Sequence, residues 1–137
     1  MKKFISILVI LVFALTLFGC SGKGISRASA KEQVNALIYY VESNEFENAQ
    51  TLLHPNRPID FKIYFELKEK EYNVDFQSGI EIKRYTNFSS SLYDSEVDGS
   101  EYELDMDVIV SGKVLELSVD IVKNDKGYGI YDIEIDD

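Results

Sequence analysis

An alternation of acidic and apolar residues over residues 101–110 constrains the fold of this chain more than any other feature. The even-numbered side chains there are all apolar, and the first four odd-numbered side chains are acidic. The apolar set is Tyr102, Leu104, Met106, Val108 and Val110, and the acidic set is Glu101, Glu103, Asp105 and Asp107. A period of two is typical of a strand with one buried and one solvated face. The run therefore predicts a strand of an antiparallel sheet.

Neighbouring segments extend this pattern to four strands. Residues 111–113 predict a short hairpin connection, and residues 124–127 predict a second turn. The alternation changes parity between Ile130 and Ile133, which predicts a β-bulge. The earliest strand is the least regular, with Asp98-Gly99 in the turn after it. The predicted strands cover about residues 80–92, 101–110, 115–121 and 128–135.

The first half of the chain has helical periodicity instead. Ser29 and Glu32 form a capping-box sequence before a helix with one apolar face. A second capping pattern begins at Asn44 and predicts a shorter helix that the two prolines end. Asp60 is predicted to cap a third helix. Helices that precede antiparallel strands predict an α+β domain, in which the helices cover the apolar face of the sheet.

The first 20 residues have the pattern of an export signal. Lys2 and Lys3 precede an uncharged, mostly apolar stretch of 15 residues, Phe4–Phe18. This stretch is shorter than the roughly 20 residues that span a bilayer and is typical of a signal peptide. Leu17-Phe18-Gly19-Cys20 resembles the lipobox of bacterial lipoproteins. The resemblance implies that residues 1–19 are removed and that the Cys20 thiol carries a diacylglycerol.

The lipoprotein interpretation places the chain at the cell membrane, facing outside the cytoplasm, with Cys20 as an attachment point. Residues 20–28 would be the lipidated tether and residues 29–137 the folded domain. Phe18 replaces the small or β-branched residue usual at that position, which predicts slower cleavage. Two alternatives stay open, an uncleaved membrane anchor and an ordinary signal peptide with an incidental cysteine.

Charge and composition exclude several classes of function. The net charge is −10, and removing Lys2 and Lys3 leaves 12 basic against 24 acidic residues, or −12. Such an excess of acid argues against nucleic acid as a partner. A single cysteine excludes a disulfide within the chain, and one cysteine with one histidine excludes the usual Cys/His zinc site.

The order of the predicted elements resembles the cystatin-like, or nuclear-transport-factor-2-like, superfamily over residues 29–135. The segments that carry the resemblance are Val34–Ile38, Glu45–Ala49 and Val122–Ile130. The resemblance implies a curved, four-stranded or slightly larger antiparallel sheet wrapped against the helices into a cone, either open or filled. Members include ketosteroid isomerases and non-enzymatic binding modules, so the fold alone does not choose a function.

One acidic segment resembles a calcium loop. Asp94, Glu96 and Asp98, with Asp105 at the twelfth position, come close to the EF-hand pattern. The third and last positions depart from that pattern, and the flanks are predicted strands instead of helices. The alternating acids favour a solvated strand face, and low-affinity calcium binding stays open as the alternative.

Candidate catalytic groups are few, and we assign no catalytic residue. His54, the only histidine, is predicted at a helix C-terminus, where an imidazolium suits the helix dipole. The strand acids face outward, except that the parity is uncertain at Asp132 and Glu134. We expect a non-catalytic binding or accessory module for a protein or small ligand, with no cofactor besides the lipid. The alternative is a small isomerase or hydrolase that uses a carboxylate in the cone.

Overall fold

The computed structural model describes residues 24–137, which form one helical layer and one sheet. The elements are α1 (Arg27–Glu42), α2 (Phe46–Gln50), α3 (Phe61–Tyr72), a 3-10 helix (Phe76–Ser78), β1 (Glu81–Asp94), β2 (Gly99–Val110), β3 (Lys113–Asn124) and β4 (Gly127–Asp136). The expectations for the signal peptide and for Leu17, Phe18, Gly19 and Cys20 lie outside the described residues. Within residues 24–137, no helix is both long and apolar enough to cross a bilayer.

Helix α1 begins earlier than the capping-box sequence predicts. Ser26 is the N-cap, and its Oγ accepts a hydrogen bond from the Ser29 backbone N–H at 3.1 Å, so the assignment of the cap to Ser29 is wrong. Ile25 already packs against the core. The buried face is the one that the periodicity predicts: Ala30, Val34, Leu37, Ile38 and Val41.

Helix α2 ends at Gln50, which is sooner than predicted, because the chain then pairs with the sheet. Leu53 forms a parallel bridge with Ile130 of β4. The Ile130 N–H donates to Leu52 O at 2.8 Å, and the His54 N–H donates to Ile130 O at 2.8 Å. The segment after α2 is therefore held against the edge of the sheet.

Helix α3 has the predicted cap. The Asp60 carboxylate accepts from the Ile63 N–H at 3.1 Å. Phe61 and Phe65, one helical turn apart, are buried in the hydrophobic core. The helix ends at Asn73, whose φ of 54° is the left-handed conformation common after a helix C-terminus.

The strands form a single antiparallel sheet in the order β1-β2-β3-β4. The predicted bulge is present between β3 and β4: Asp120 pairs with Asp132, whereas Ile121 pairs with Ile130. Tyr131 is thus the extra residue of β4. Strand β1 has three register shifts against β2, which explains why its alternation is irregular in the sequence.

Apolar side chains fill the space between the helices and the inner face of the sheet. The Phe65 ring meets the Phe76 ring edge to face, with 5.0 Å between centroids. The largest fully buried apolar side chains are Phe61, Phe76, Leu37, Leu104, Met106, Leu115, Ile121 and Ile130. The architecture is α+β with a four-stranded antiparallel sheet, as predicted, and the sheet is open.

Candidate functional site

The face of the sheet that points away from the helices is strongly acidic. Its side chains alternate with the buried side chains of the inner face along β2, β3 and β4. We call this surface the acidic face; it consists of Glu101, Glu103, Asp105, Asp107, Glu116, Asp120, Asp132, Glu134 and Asp136. The predicted outward position of the strand acids is therefore confirmed.

The register of the strands aligns these carboxylates in rows across the sheet. In the row that begins at Ser89 of β1, the next three positions are Glu103, Asp120 and Asp132. Side chains directly opposite each other in an antiparallel pair have Cβ atoms about 4.5–5.5 Å apart, and like charges there are destabilising. Three consecutive carboxylates in one row therefore lower the stability of the fold.

The repulsion is concentrated on Asp120, at the centre of this row. Burial and then the nearby charges of Glu101, Glu103 and Asp132 raise the pKa of Asp120 from its usual 3.8 to about 7. Burial also raises the pKa of Glu101 and of Glu103. Asp120 is thus partly protonated near neutral pH, and a cation placed over it would favour its ionised form.

Two arginines contact the margins of the acidic face. Arg84 Nε donates to Asp107 Oδ2 at 2.8 Å, and Arg57 Nη2 lies 3.9 Å from Asp132 Oδ1. The Arg84 side chain is 68% exposed, so this pair contributes little stability. Both ion pairs lie at the ends of their rows. The carboxylates in the middle of the sheet therefore repel one another most strongly.

The acidic face and the end of α3 each carry a shallow depression. One, of about 240 Å³, belongs to the acidic face and is lined by Glu116, Ser118, Glu134, Asp136 and Asp137. The other, of about 410 Å³, lies near the α3 C-terminus and is lined in part by Tyr72 and Lys113. Both are open to solvent, unlike the enclosed apolar cavities that bury most of a small ligand.

The calcium-loop candidates do not converge. Asp94, Glu96 and Asp98 lie at the β1–β2 turn, whereas Asp105 lies six residues along β2 from Gly99. At about 3.3 Å per residue this separation is roughly 20 Å, too far for one ion. Asp94 Oδ1 accepts from the Glu96 N–H, and Asp98 Oδ1 accepts from the Tyr93 hydroxyl. Residues 24–137 hold no cluster of three or more side chains placed to bind a metal.

His54 is a buried structural residue, and its predicted place at a helix C-terminus is wrong because α2 ends at Gln50. The side chain is only 1% exposed. The Asn56 N–H donates to His54 Nδ1 at 3.1 Å, so the ring proton is on Nε2, which donates to Asn124 Oδ1 at 2.9 Å. Asn124 Nδ2 in turn donates to Val97 O at 2.8 Å. His54 therefore links the loop after α2 to the β3–β4 turn and, through Asn124, to the β1–β2 turn.

The interior of the domain offers no described carboxylate for catalysis. Asp132 and Glu134, whose parity is uncertain in the sequence, are exposed on the acidic face, and Ile133 between them is buried. The buried polar or charged side chains of the described residues are His54 and Ser100. Ser100 Oγ donates to Leu92 O at 2.9 Å, which is a structural contact.

The row of carboxylates was not predicted, although part of its signal is in the sequence. Counting outward from the turn at Ser111-Gly112 places Asp120 opposite Glu103. The position of Asp132 depends on the bulge at Tyr131, which the alternation locates only to within a few residues. Counting residues outward from the β2–β3 turn therefore identifies two of the three carboxylates from the sequence alone.

No protein-family model matches the chain, and neither a curated protein nor a solved structure shows significant similarity to it. The comparisons therefore assign no activity and no partner. The geometry and charge of the acidic face are the basis of the proposal that follows.

Proposed function

We propose that the chain is a bacterial lipoprotein, held at the cell membrane and facing outside the cytoplasm. Residues 1–19 are removed in this proposal, and Cys20 of the sequence Leu17-Phe18-Gly19-Cys20 carries the diacylglycerol. Two acyl chains are sufficient for stable anchoring, whereas one gives only marginal binding. The short uncharged stretch before the cysteine supports this location.

The role of the domain in this proposal is non-catalytic: its acidic face binds a basic segment of a partner protein. The observation that carries the proposal is the row of Glu103, Asp120 and Asp132 on a sheet face that no element of residues 24–137 covers. The fold keeps these like charges together at the expense of its own stability, and strongly perturbed groups cluster at functional sites. Lysine or arginine side chains of a partner would relieve the repulsion and fix the register of binding.

A protein partner fits the described surface better than a small ligand or a substrate does. The helix–sheet interface is packed with side chains such as Phe61 and Met106, and the depressions on the surface are open. We also propose that the domain is cystatin-like, or nuclear-transport-factor-2-like. Helices that precede four antiparallel strands support this assignment, and the packed interior would make the domain a member with a filled cone.

A photo-crosslinking amino acid at Ser118 tests the binding role. Ser118 lies on the acidic face between Asp105 and Glu134. In intact cells that produce the full chain, we expect crosslinks from position 118 to a discrete protein and none to the same protein from exposed Asn48. Crosslinks that are identical from both positions, or absent from position 118, would contradict the proposal.

Matched charge variants sharpen this experiment. Asp120→Asn with Asp132→Asn replaces two carboxylates of the acidic face by amides, and Glu47→Gln with Glu66→Gln replaces two at exposed helix positions. We expect only the first pair to abolish the crosslink from position 118, because the two variants lose the same number of carboxylates and differ only in where those carboxylates lie. Equal loss in both variants would mean that general charge, and not the acidic face, attracts the partner.

A further inference from the structure

Two large apolar side chains are exposed side by side where β1 enters its hairpin turn. Leu92 is 73% exposed and Tyr93 is 64% exposed. Hydrogen bonds hold the backbone at this position, since Ser100 Oγ donates to Leu92 O at 2.9 Å and Ser91 Oγ donates to Tyr93 O at 2.8 Å. The Tyr93 hydroxyl donates to Asp98 Oδ1 at 3.0 Å, which holds the side chain. The pair is therefore a preformed feature of the hairpin that the fold itself does not bury.

The same pair adjoins the point at which the described chain begins. A Cβ atom built on Gly24 would lie 2.8 Å from Leu92 Cδ2, so the Leu92 side chain rests on the Gly24 backbone. The Gly24 φ of +92° also favours glycine there. Three residues separate Gly24 from Cys20. Even fully extended, this connection spans at most about 14 Å.

We infer that the hairpin end that carries Leu92 and Tyr93 contacts the lipid bilayer. The inference rests on the proposed lipid anchor at Cys20, because a short connection to an acylated cysteine keeps Leu92 close to the membrane surface. A tyrosine is well suited to the headgroup level, where its ring is buried and its hydroxyl stays hydrated. A leucine next to it would lie at the boundary of the acyl chains.

Apolar burial, and not charge, is the driving force of this contact. The hairpin turn carries Asp94, Glu96 and Asp98, which anionic headgroups would repel. Zwitterionic phosphatidylcholine is therefore the appropriate probe. The contact also orients the domain: β2 leads away from this end over 12 residues, or about 40 Å. The acidic face would then extend away from the membrane and stay accessible to a partner.

The sequence allows a direct optical test, since the chain contains no tryptophan. Tyr93→Trp places a single tryptophan in the hairpin, and Tyr39→Trp places one at a matched position on α1 that is 62% exposed. Tyr39 lies 12 residues beyond Arg27, or about 18 Å along the helix. Each full chain is produced in bacteria, extracted in its membrane-bound form and reconstituted into phosphatidylcholine vesicles with or without brominated acyl chains.

We expect the Tyr93→Trp emission to shift to shorter wavelength and to fall by about half in brominated vesicles, as for a ring at the headgroup boundary. The Tyr39→Trp emission should not change. Adding Leu92→Ser to Tyr93→Trp should reduce the quenching. Protein that floats with the vesicles but shows no quenching at position 93 overturns this inference and leaves the anchor intact. Protein that does not float overturns both the anchor and the inference.

Discussion

Asp120 of β3 and Asp132 of β4 are direct cross-strand partners on the acidic face of the sheet. Glu103 of β2 pairs with Asp120 on its other side. The pKa of Asp120 is raised to about 7, chiefly by burial and then by the charges of Glu101, Glu103 and Asp132. A sheet that served only to cover a core would gain stability from a neutral or basic residue at this position. The arrangement is understandable if a cationic partner completes the acidic face.

The first prediction is that Asp120→Asn stabilises the free domain at pH 8 by about 1–2 kcal/mol. A pKa difference between 3.8 and about 7 corresponds to roughly 4 kcal/mol, which we reduce because the side chain is partly exposed to screening solvent. The folded state has the higher pKa, so between about pH 4 and pH 7 it binds more protons than the unfolded state. Its unfolding free energy therefore falls as the pH rises through this window.

Chemical denaturation of both proteins at pH 4, 6 and 8 measures this effect. Between pH 4 and pH 7, the unfolding free energy of the variant should fall much less than that of the wild type. Glu66→Gln removes the same charge from an exposed position on α3 and should change stability by less than about 0.5 kcal/mol. An Asp120→Asn domain that is less stable than wild type at pH 8 would contradict the repulsion described here.

Much of the fold could be predicted from periodicity because each element exposes one side to water. The alternation over residues 101–110 predicts β2, and the parity change near Ile130 predicts the bulge that the structure has at Tyr131. Local capping was less predictable. Ser26 and Ser29 are both hydroxyl residues at the start of α1, and only the helix boundary shows that Ser26 is the N-cap.

The contacts between distant segments could not be predicted from local patterns. The sequence predicts His54 at a helix C-terminus. In the structure the chain leaves α2 before this residue, and the ring is buried because Leu53 bridges to Ile130 and carries His54 against Asn124. That contact joins residues 70 positions apart. The sequence pattern identifies each acidic residue of the outer face separately. The repulsion of Asp120 by Glu103 and Asp132 depends on the register of two strand pairs, which the local pattern does not determine.

The second prediction concerns the link between His54 and Asn124. His54→Ala should reduce the unfolding free energy by about 2–3 kcal/mol, because it leaves a cavity and removes the ring that joins the Asn56 N–H to Asn124. Asn124→Ala should also be destabilising. In the double variant the effects should fall short of additivity by about 1 kcal/mol, as expected for side chains in contact. Strictly additive effects in a double-mutant cycle by denaturation would show that the two side chains act independently.

The third prediction is that Gly129 tolerates no side chain. A Cβ atom there would lie 2.6 Å from both His54 N and Leu52 O, which belong to the backbone of the bridging segment. Gly129→Ala should therefore cost about 2–3 kcal/mol, the upper part of the range for overpacked sites. Gly112→Ala is the control, since its Cβ would meet nothing within 4 Å and only its φ of +77° opposes the change. That cost is about 1 kcal/mol. Equal thermal destabilisation of the two variants would argue against a close backbone approach at Gly129.

The last prediction is that Cys20→Ser abolishes membrane attachment through lipid. The wild-type chain should fractionate with membranes at the mass of residues 20–137 plus its acyl groups, because acylation and cleavage both depend on this thiol in the lipoprotein proposal. The variant should either appear in the soluble extracytoplasmic fraction or accumulate as a precursor that retains residues 1–19. Lys23→Ser changes the same segment without touching the cysteine and should behave as wild type.

Intact mass spectrometry of each fraction separates this outcome from the alternatives. An uncleaved anchor would give membrane-bound chains of 137 residues without lipid in the wild type and the variant alike. An ordinary signal peptide would give soluble, unacylated chains in both. Either result would show that Cys20 carries no lipid and would contradict the lipoprotein proposal. We expect instead that Cys20→Ser, which replaces a single sulfur atom by oxygen, changes both the mass and the location of the protein. Only the thiol can carry the diacylglycerol in this proposal. The acidic domain has no electrostatic attraction to an anionic membrane that could replace the lipid.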